Sequence, residues 1–310
     1  MMSNLLTPRY RVILPETAVT QIVQVGVGGT GSWLAYSLAR LVYHARQKGQ
    51  AVSLMLVDPD IIEPANVGRQ AFGVASVGSY KAEDIAWRLN LALGLDITAV
   101  TAPFQTSLVA QWLNQPAYRP QTRLLLVGCV DNYQARRTLA KVVATANGQA
   151  RSTSSGQARS TSSGQARSTG SGQVWAVDCG NGRFNGQVLV GNLTDLSQLT
   201  VDELGVCNGL PSPYLQEPGL LEPDPVDETP LSCADLTLRE EQSLLINSQV
   251  AAVAAQYVYD LVIRRTLWQY ATYLNLEPPT MSSRLLTPAT LALWGNGRQS
   301  AVEDKNEQDN

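Results

Sequence analysis

The sequence predicts an α/β fold in which a mostly parallel, doubly wound sheet carries helices on both faces. Two near-continuous apolar runs, 51–57 and 123–130, have the composition of strands that are buried on both sides. Segments with helical apolar spacing alternate with these runs along the chain. A glycine-rich turn lies between the first expected strand and the first expected helix. Alternating strands and helices with buried strands are typical of a parallel sheet.

The first half of the chain supplies most of these elements. A short β-rich run at 21–27 ends in glycines, and apolar residues at helical spacing follow over 32–48. The next strand is expected at 51–57. The remaining expected elements are a helix at 81–93, part of a strand at 97–100, a short helix at 107–114, a strand at 123–130 and a helix from 133 to about 146.

The composition changes abruptly at residue 148, where an eight-residue unit, GQARSTSS, is written three times with small changes up to residue 173. Almost none of these residues is apolar, so burial cannot offset the entropy of ordering them. We therefore expect a disordered insertion over 148–173. The alternative, that its arginines bind an anion, rests only on their charge.

Order is expected to resume after the insertion. The runs 174–179 and 187–191 resemble a strand pair that closes the sheet, and 210–235 is a long loop rich in proline and acidic residues. A long helix over 236–264 and a last strand at 269–274 complete the expected elements. The predicted organisation is an N-terminal half (1–147), the insertion (148–173), a C-terminal half of the same domain (174–294) and a polar tail (295–310).

Composition argues against several classes of function. The net charge is −3 at pH 7, which gives no electrostatic footprint for binding nucleic acid. No apolar run approaches the length of a membrane span, and no signal peptide is evident, so we expect a cytoplasmic protein without a membrane partner. The single histidine, His44, lies in an expected helix, which makes serine–histidine hydrolysis improbable. The four cysteines include no close pair, which argues against a four-thiolate zinc site.

Four glycines form the turn after the first strand: Gly26, Gly28, Gly29 and Gly31. Glycine is needed where backbone N–H groups at a helix N-terminus approach a phosphate closely, because a side chain would block the approach. This pattern is found in both dinucleotide and ATP enzymes. A tight turn without a ligand is the structural alternative.

Charged residues that follow the next two strands favour ATP. Asp58 ends the second strand, where an acid can reach a ribose hydroxyl. Arg69 and Lys81 then supply two cations, which suits charge developing on phosphoryl oxygens during attack on an α-phosphate. A surface ion pair of Arg69 with Asp60 or Glu63 is the structural alternative.

The third buried strand is followed by Asp131 and Asn132. Ligands of open parallel sheets bind outside the carboxyl ends of the strands, so Asp131 is expected in the same crevice as the glycine turn. A carboxylate beside a triphosphate repels it unless a cation lies between them, and Mg²⁺ suits that position. Asp131 could equally cap the following helix.

The ordered set of motifs resembles the ThiF family, the adenylating enzymes related to ubiquitin-activating enzymes and to activators of sulfur-carrier proteins. The motifs are G-x-G-G-T-G-S at 26–32, D-x-D-x-x-x-x-x-N-x-x-R-Q at 58–70, G-x-x-K at 78–81 and V-D-N at 130–132. Later segments resemble the ThiF-family proteins of the PRTRC system: W-A-V-D-C-G-N-G at 175–182, G-Q at 186–187, S-C at 232–233, and E-Q-S-L at 241–244 with an asparagine at 247. The resemblance covers about residues 20–290 outside the insertion and implies a Rossmann-like fold.

The resemblance implies that the C-terminal carboxylate of a ubiquitin-like protein attacks ATP, giving an acyl adenylate and pyrophosphate. By motif position, Asp58 would hold the ribose and Asp131 would coordinate Mg²⁺. Arg69, Lys81 and Asp131 would act in catalysis, with Asn66 beside them on the phosphates. The implied nucleotide-binding residues are Gly26, Gly28, Gly29, Gly31, Asp58, Asn66, Arg69, Gln70, Lys81, Asp131 and Asn132.

Other expectations also rest on the resemblance. A homodimer is expected from the family, and no zinc is expected because the paired cysteines of many relatives are missing. A later thioester on Cys233 is one interpretation of the sequence, since Cys233 follows the acidic loop and precedes the long helix. A cysteine that merely packs beneath that loop is the other.

Two further functions stay open at this point. An NAD-dependent oxidoreductase would share the glycine turn and Asp58, but it would give Arg69, Lys81 and Asp131 no joint purpose. A non-catalytic protein that binds a nucleotide and a partner would keep the polar residues without turnover.

Overall fold

The computed structural model of the chain describes residues 9–113, 122–152, 174–223 and 244–292. Most of the expected insertion, the tail from 295 and Cys233 therefore lie outside the described residues. The described part contains eleven strands: β1 (Arg11–Ile13), β2 (Val19–Val25), β3 (Ala51–Val57), β4 (Thr98–Val100), β5 (Thr122–Gly128), β6 (Val174–Asn181), β7 (Asn185–Gly191), β8 (Val206–Cys207), β9 (Thr266–Leu267), β10 (Gln269–Leu276) and β11 (Pro279–Leu285).

Eight of these strands form one sheet in the order β11-β10-β7-β6-β5-β2-β3-β4. The strands β4, β3, β2, β5 and β6 pair in parallel, whereas β7, β10 and β11 pair antiparallel. The central parallel strands β2 and β5 are almost completely buried, as the sequence predicts for strands that are covered on both faces. The short strands β8, β1 and β9 form a separate three-stranded sheet.

Helices cover both faces of the large sheet. They are α1 (Gly29–Gln47), α2 (Lys81–Leu93), α3 (Ala110–Leu113), α4 (Tyr133–Ser152), α5 (Pro213–Gln216) and α6 (Ile246–Tyr259), which continues into a π-helical turn at Asp260–Arg264. Apolar residues of α1, α2 and α6 pack in one core, and those of α4 and α5 pack in a second core on the opposite face. The predicted α/β fold with a doubly wound sheet and antiparallel C-terminal strands is confirmed. Within the described residues, no helix is long and apolar enough to cross a membrane.

Several predicted boundaries differ from the structure. The first sheet strand is Val19–Val25 rather than 21–27, because its last two predicted residues already belong to the glycine turn. The predicted closure of the sheet by the pair β6 and β7 was wrong, since β10 and β11 extend the sheet beyond β7. Helix α4 ends at Ser152 and so enters the predicted insertion. The described part of the predicted long helix begins at Ile246.

Candidate functional site

A cleft of about 1470 Å³ opens at the carboxyl ends of the parallel strands. The glycine turn after β2 forms one wall, and the loop that links β3 to α2 forms another. The segment between β5 and α4 and the turn between β6 and β7 complete the lining. Because parallel strands end together at one edge of the sheet, residues that are distant in sequence meet here.

Three glycines of the turn are required by the packing of the protein itself. Gly26 has a φ of +91°, and a Cβ on it would lie 2.3 Å from the carbonyl oxygen of Cys129. A Cβ on Gly31 would lie 2.1 Å from the carbonyl oxygen of Gly26, and one on Gly29 would lie 2.7 Å from Oδ1 of Asn247. Because these glycines have no Cβ, the start of α1 can pack closely against the end of β5 and against α6.

Gly28 differs from the other three glycines. A Cβ added to Gly28 would meet nothing within 4 Å, although the residue lines the cleft and immediately precedes α1. No contact with a neighbouring residue therefore requires glycine at this position. The N-terminus of a helix offers unpaired backbone N–H groups and a positive partial charge, which together attract anions. An anionic ligand approaching α1 would use the space that Gly28 leaves open.

Asp58 braces the glycine turn from the end of β3. Its Oδ2 accepts a hydrogen bond of 2.6 Å from the Val27 N–H, and its Oδ1 accepts one of 2.9 Å from the Asp60 N–H. Burial raises the pKa of Asp58, and these two hydrogen bonds together with Lys81 oppose the rise. The carboxylate thus fixes both the turn and the following loop, and it also lines the cleft. The ribose contact implied for Asp58 stays a prediction.

Lys81 is the first residue of α2 and is almost completely buried, at 8% exposure. Its Nζ lies 2.8 Å from Oδ2 of Asp60, which points the amine into the cleft lining. Sequence analysis considered Asp60 only as a partner for Arg69. The structure gives Asp60 a different task, because it holds the ammonium group of Lys81. Asp60 accepts one of the three protons that an ammonium group can donate.

The loop between β3 and α2 places Asn66, Arg69 and Gln70 on the cleft wall. Oδ1 of Asn66 accepts a hydrogen bond of 2.9 Å from the Glu63 N–H, which caps the short 3-10 helix Pro64–Asn66. The Gln70 N–H donates to the Asn66 carbonyl at 3.0 Å. The indole N–H of Trp33 donates to the carbonyl of Arg69 at 3.4 Å. These contacts fix the backbone that carries the guanidinium of Arg69.

Asp131 and Asn132 lie between the end of β5 and the start of α4, and both line the cleft. Oδ1 of Asn132 accepts a hydrogen bond of 2.8 Å from the Ala135 N–H, as an N-cap residue does. The capping role that the sequence allowed for Asp131 is thus performed by its neighbour. Within the ranges that the structure describes, no group of three or more histidine, cysteine or acidic side chains could hold a metal ion.

Of the predicted site residues that the structure describes, all line the cleft except Gly31. Gly31 lies beneath the turn, where its lack of a side chain lets α1 pack on β2. Cys233 lies outside the described residues. The other predictions converge because each residue follows the carboxyl end of a parallel strand or begins the next helix.

A buried ion pair borders the cleft, and sequence analysis gave it no role. The Nε of Arg136 on α4 lies 3.3 Å from Oδ2 of Asp178 on β6. Asp178 is completely buried, and burial raises its pKa to about 6, although Arg136 lowers it. Arg136 lines the cleft, so the carboxylate holds a cation at its wall. Asp178 belongs to a motif noted in the sequence, but nothing in that motif revealed its partner.

Three polar residues from different elements meet at the start of α1, and we call them the amide cluster: Thr30, Asn181 and Asn247. The hydroxyl of Thr30 donates to Oδ1 of Asn247 at 3.1 Å. Nδ2 of Asn181, at the end of β6, donates to the same oxygen at 3.1 Å. All three residues line the cleft. The sequence gives no sign that these residues meet, since Asn181 and Asn247 lie 151 and 217 positions after Thr30.

The family of the chain follows from its sequence as a whole. The sequence profile of the ThiF family matches residues 17–290. The chain belongs to the ThiF family. The resemblance stated from the motifs is therefore confirmed for the family, while the assignment to the PRTRC system stays a prediction. Among proteins of curated function, none matches this ThiF-family chain.

Solved structures of the same fold include Escherichia coli MccB. MccB with ATP, and MccB with AMPCPP and MccA, each align with a TM-score of 0.50 and 14% identity over 86% of this chain and 64% of MccB. A structure of PaaA aligns with a TM-score of 0.49 and 14% identity, again over 86% of this chain and 64% of PaaA. The ThiF-family chain thus spans less than two thirds of the length of these proteins. At this level of identity, the alignment to MccB shows a shared fold.

Proposed function

We propose that this ThiF-family chain uses ATP to adenylate the C-terminal carboxylate of a ubiquitin-like or sulfur-carrier-like protein and releases pyrophosphate. Arg69, Lys81 and Asp131 line one cleft together with the glycine turn, and this convergence carries the proposal. Family membership and a fold shared with a protein crystallised with ATP support it. Hydride transfer to NAD would give the two cations and the acid no shared task.

The glycine turn and Asp58 suit the binding of the nucleotide. Phosphate oxygens would meet the N-terminus of α1, where Gly28 leaves the approach open. Asp58 already accepts one hydrogen bond on each oxygen, and each oxygen retains a further lone pair that could accept from a ribose hydroxyl. The buried hydrogen bond from the Val27 N–H to Asp58 would fix the position of the carboxylate relative to the glycine turn.

Arg69 and Lys81 suit the chemical step. When the carboxylate attacks the α-phosphorus, negative charge grows on the phosphoryl oxygens and on the departing pyrophosphate. Fixed cations stabilise that charge without reorganisation during the reaction. A charge pair separated by 4 Å is worth about 4 kcal/mol at an effective dielectric constant near 20. This energy corresponds to a rate factor of roughly 10²–10³.

Asp131 is the residue proposed to hold Mg²⁺. A single carboxylate combined with phosphate oxygens and water is a common Mg²⁺ environment, and Asp131 projects from the strand end into the cleft lining. When bound, the ion would neutralise phosphate charge. Asp131 itself would orient the phosphates through the ion rather than by direct contact, since two anionic groups repel.

The size of the cleft supports a second, protein substrate. Its volume of about 1470 Å³ exceeds the roughly 300–1000 Å³ typical of a site for one small ligand. The cleft is also lined by Gly180 of β6, Gly186 of β7 and Gly182 in the turn between them. An extended C-terminal tail could enter along this surface and present its carboxylate to the α-phosphate.

The test is ATP–pyrophosphate exchange in the presence of candidate carrier proteins, including ubiquitin-like proteins encoded near this gene. We expect Arg69→Ala or Lys81→Ala to lower the exchange rate by roughly 10²-fold or more, while the fold is retained. Arg46→Ala is the matched control, because Arg46 makes an ion pair with Asp96 on the surface and does not line the cleft. Unchanged exchange in both cleft variants would exclude the proposed roles.

The proposal has two finer parts. One is a homodimer, which the family resemblance implies and which sedimentation would measure. The other is transfer of the acyl group from the adenylate to Cys233, with release of AMP and formation of a thioester. Mass spectrometry of the wild-type chain after reaction with its carrier would detect the adduct, and Cys233→Ala, which leaves no nucleophile at this position, would remove it. An adduct that survives in the alanine variant would exclude Cys233.

A further inference from the structure

One buried donor at the cleft lacks a partner. The side chain of Asn247 is on α6 and is 1% exposed, and its Oδ1 is fully used by Thr30 and Asn181. Its Nδ2 has no hydrogen-bond acceptor among the residues that the structure describes. A buried N–H group without an acceptor is destabilising, so such groups are rare unless a ligand or water completes them.

The position of this donor indicates what it meets. Asn247 lies against Gly29, the first residue of α1, where even a Cβ would come within 3.1 Å of Nδ2. The amide therefore stands beside the backbone N–H groups at the helix N-terminus. The neighbouring Gly28 leaves open space on the cleft side of the same turn. An acceptor that enters there would be anionic, because the helix N-terminus attracts negative charge.

We propose that Nδ2 of Asn247 donates a hydrogen bond to a phosphate oxygen of the nucleotide seated at the N-terminus of α1. The proposal rests on the proposed function, since it requires a nucleotide in the cleft. Thr30 and Asn181 act as positioning residues, because their hydrogen bonds to Oδ1 fix the amide with its NH₂ group directed away from them. Helix α6, which the motifs of the first half do not include, thereby takes part in binding the phosphates.

Asn247→Asp is the sharpest variant. It keeps an oxygen acceptor for Thr30 and Asn181, replaces the NH₂ donor with a second acceptor and adds a negative charge. A hydrogen bond to a charged group changes affinity by about tenfold to hundredfold. We expect the ATP Kd of Asn247→Asp to rise by at least about tenfold in calorimetric titration. The Kd for adenosine, which has no phosphate, should change by less than about threefold.

Asn192→Asp is the matched control. Asn192 is completely buried, its Nδ2 also lacks an acceptor among the described residues, and its Oδ1 accepts from the Leu210 N–H at 2.9 Å. It does not belong to the described lining of the cleft. The same chemical change at the same burial should therefore leave the ATP Kd within about threefold of wild type.

The outcomes separate the two proposals. If the wild-type chain binds no ATP, the proposed function fails and this inference fails with it. If the wild type binds ATP but Asn247→Asp binds it equally well, only the inference is overturned. Asn247→Ala, measured in parallel, removes the donor without adding a buried charge, and it also serves if Asn247→Asp does not fold. An ATP-to-adenosine affinity ratio in Asn247→Ala that equals the wild-type ratio would overturn the inference.

Discussion

Among single residues, Asp178 shows how burial and charge oppose each other. Its carboxyl group is completely buried in β6 and meets only one cation, Arg136, at 3.3 Å among the described ion pairs. Burial raises its pKa from an ordinary value of 3.8 to about 6, against the attraction of Arg136. The folded chain therefore holds a proton on Asp178 over a pH range in which the unfolded chain has already lost it.

This difference predicts a pH dependence of stability. Because the folded-state pKa is the higher one, the contribution of Asp178 to stability is greatest below pH 3.8 and falls as the pH rises to about 6. The rise in the pKa of Asp178 from 3.8 to about 6 corresponds to about 3 kcal/mol. Urea unfolding at a series of pH values from 4 to 7 should show this slope in the wild type and a flatter one in Asp178→Asn.

The difference between the wild type and Asp178→Asn gives the contribution of Asp178 alone, since the other titrating groups contribute equally to the stability of both chains. Parallel pH profiles for wild type and Asp178→Asn would contradict the expected proton uptake by Asp178. Thr30→Ser, which keeps a hydroxyl in the amide cluster, serves as a control that leaves Asp178 untouched.

Among the structural elements, the glycine turn offers a direct test of which glycines serve packing and which serve a ligand. Gly31→Ala forces a Cβ to within 2.1 Å of the Gly26 carbonyl oxygen, so the free energy of unfolding should fall by roughly 1–3 kcal/mol. Gly28→Ala meets no protein atom within 4 Å and should lose less stability. Chemical denaturation of both variants measures the difference.

ATP affinity, corrected for the fraction of folded protein, should fall more in Gly28→Ala than in Gly31→Ala. The Cβ of Gly28→Ala would occupy space on the cleft side of the turn, so the ATP Kd should rise by about tenfold or more in calorimetric titration. Equal ATP affinity in Gly28→Ala and wild type would mean that the open space at Gly28 is not used by the nucleotide.

The sequence predicts some elements well because local signals mark both ends. Helix α2 was predicted at its observed bounds, and Gly94 in the left-handed conformation, with φ +63°, ends it. Strand β3 was also predicted at its observed bounds, since it is a short apolar run between polar residues. Strand β11 was missed because it is exposed along most of its length and therefore lacks the alternating pattern of a half-buried strand.

For the whole molecule, ligand binding should raise the melting temperature. A ligand at 100 times its Kd that binds only the native state adds about 2.7 kcal/mol of stability. For a chain of 310 residues, we expect MgATP to raise the melting temperature by about 4 °C. NAD at the same concentration should have little effect. A thermal shift with NAD and none with MgATP would instead favour an oxidoreductase.

Site residues that lie close together in the sequence could be predicted, whereas those that lie far apart could not. Asp58, Arg69, Lys81 and Asp131 lie in the first half and follow strand ends, so their convergence follows from the parallel order of β2, β3 and β5. The amide cluster could not be predicted in this way. Its contacts depend on how β6 and α6 pack against α1, which is a long-range property of the fold.

The amide cluster also has a consequence for biosynthesis. During translation, the glycine turn is synthesised long before residue 247. Asn181 is synthesised only after the repeat segment 148–173. Contacts of such wide chain separation are established late in maturation. The nucleotide site of the nascent chain would therefore be incomplete. High affinity for the nucleotide would appear only when the whole chain has folded.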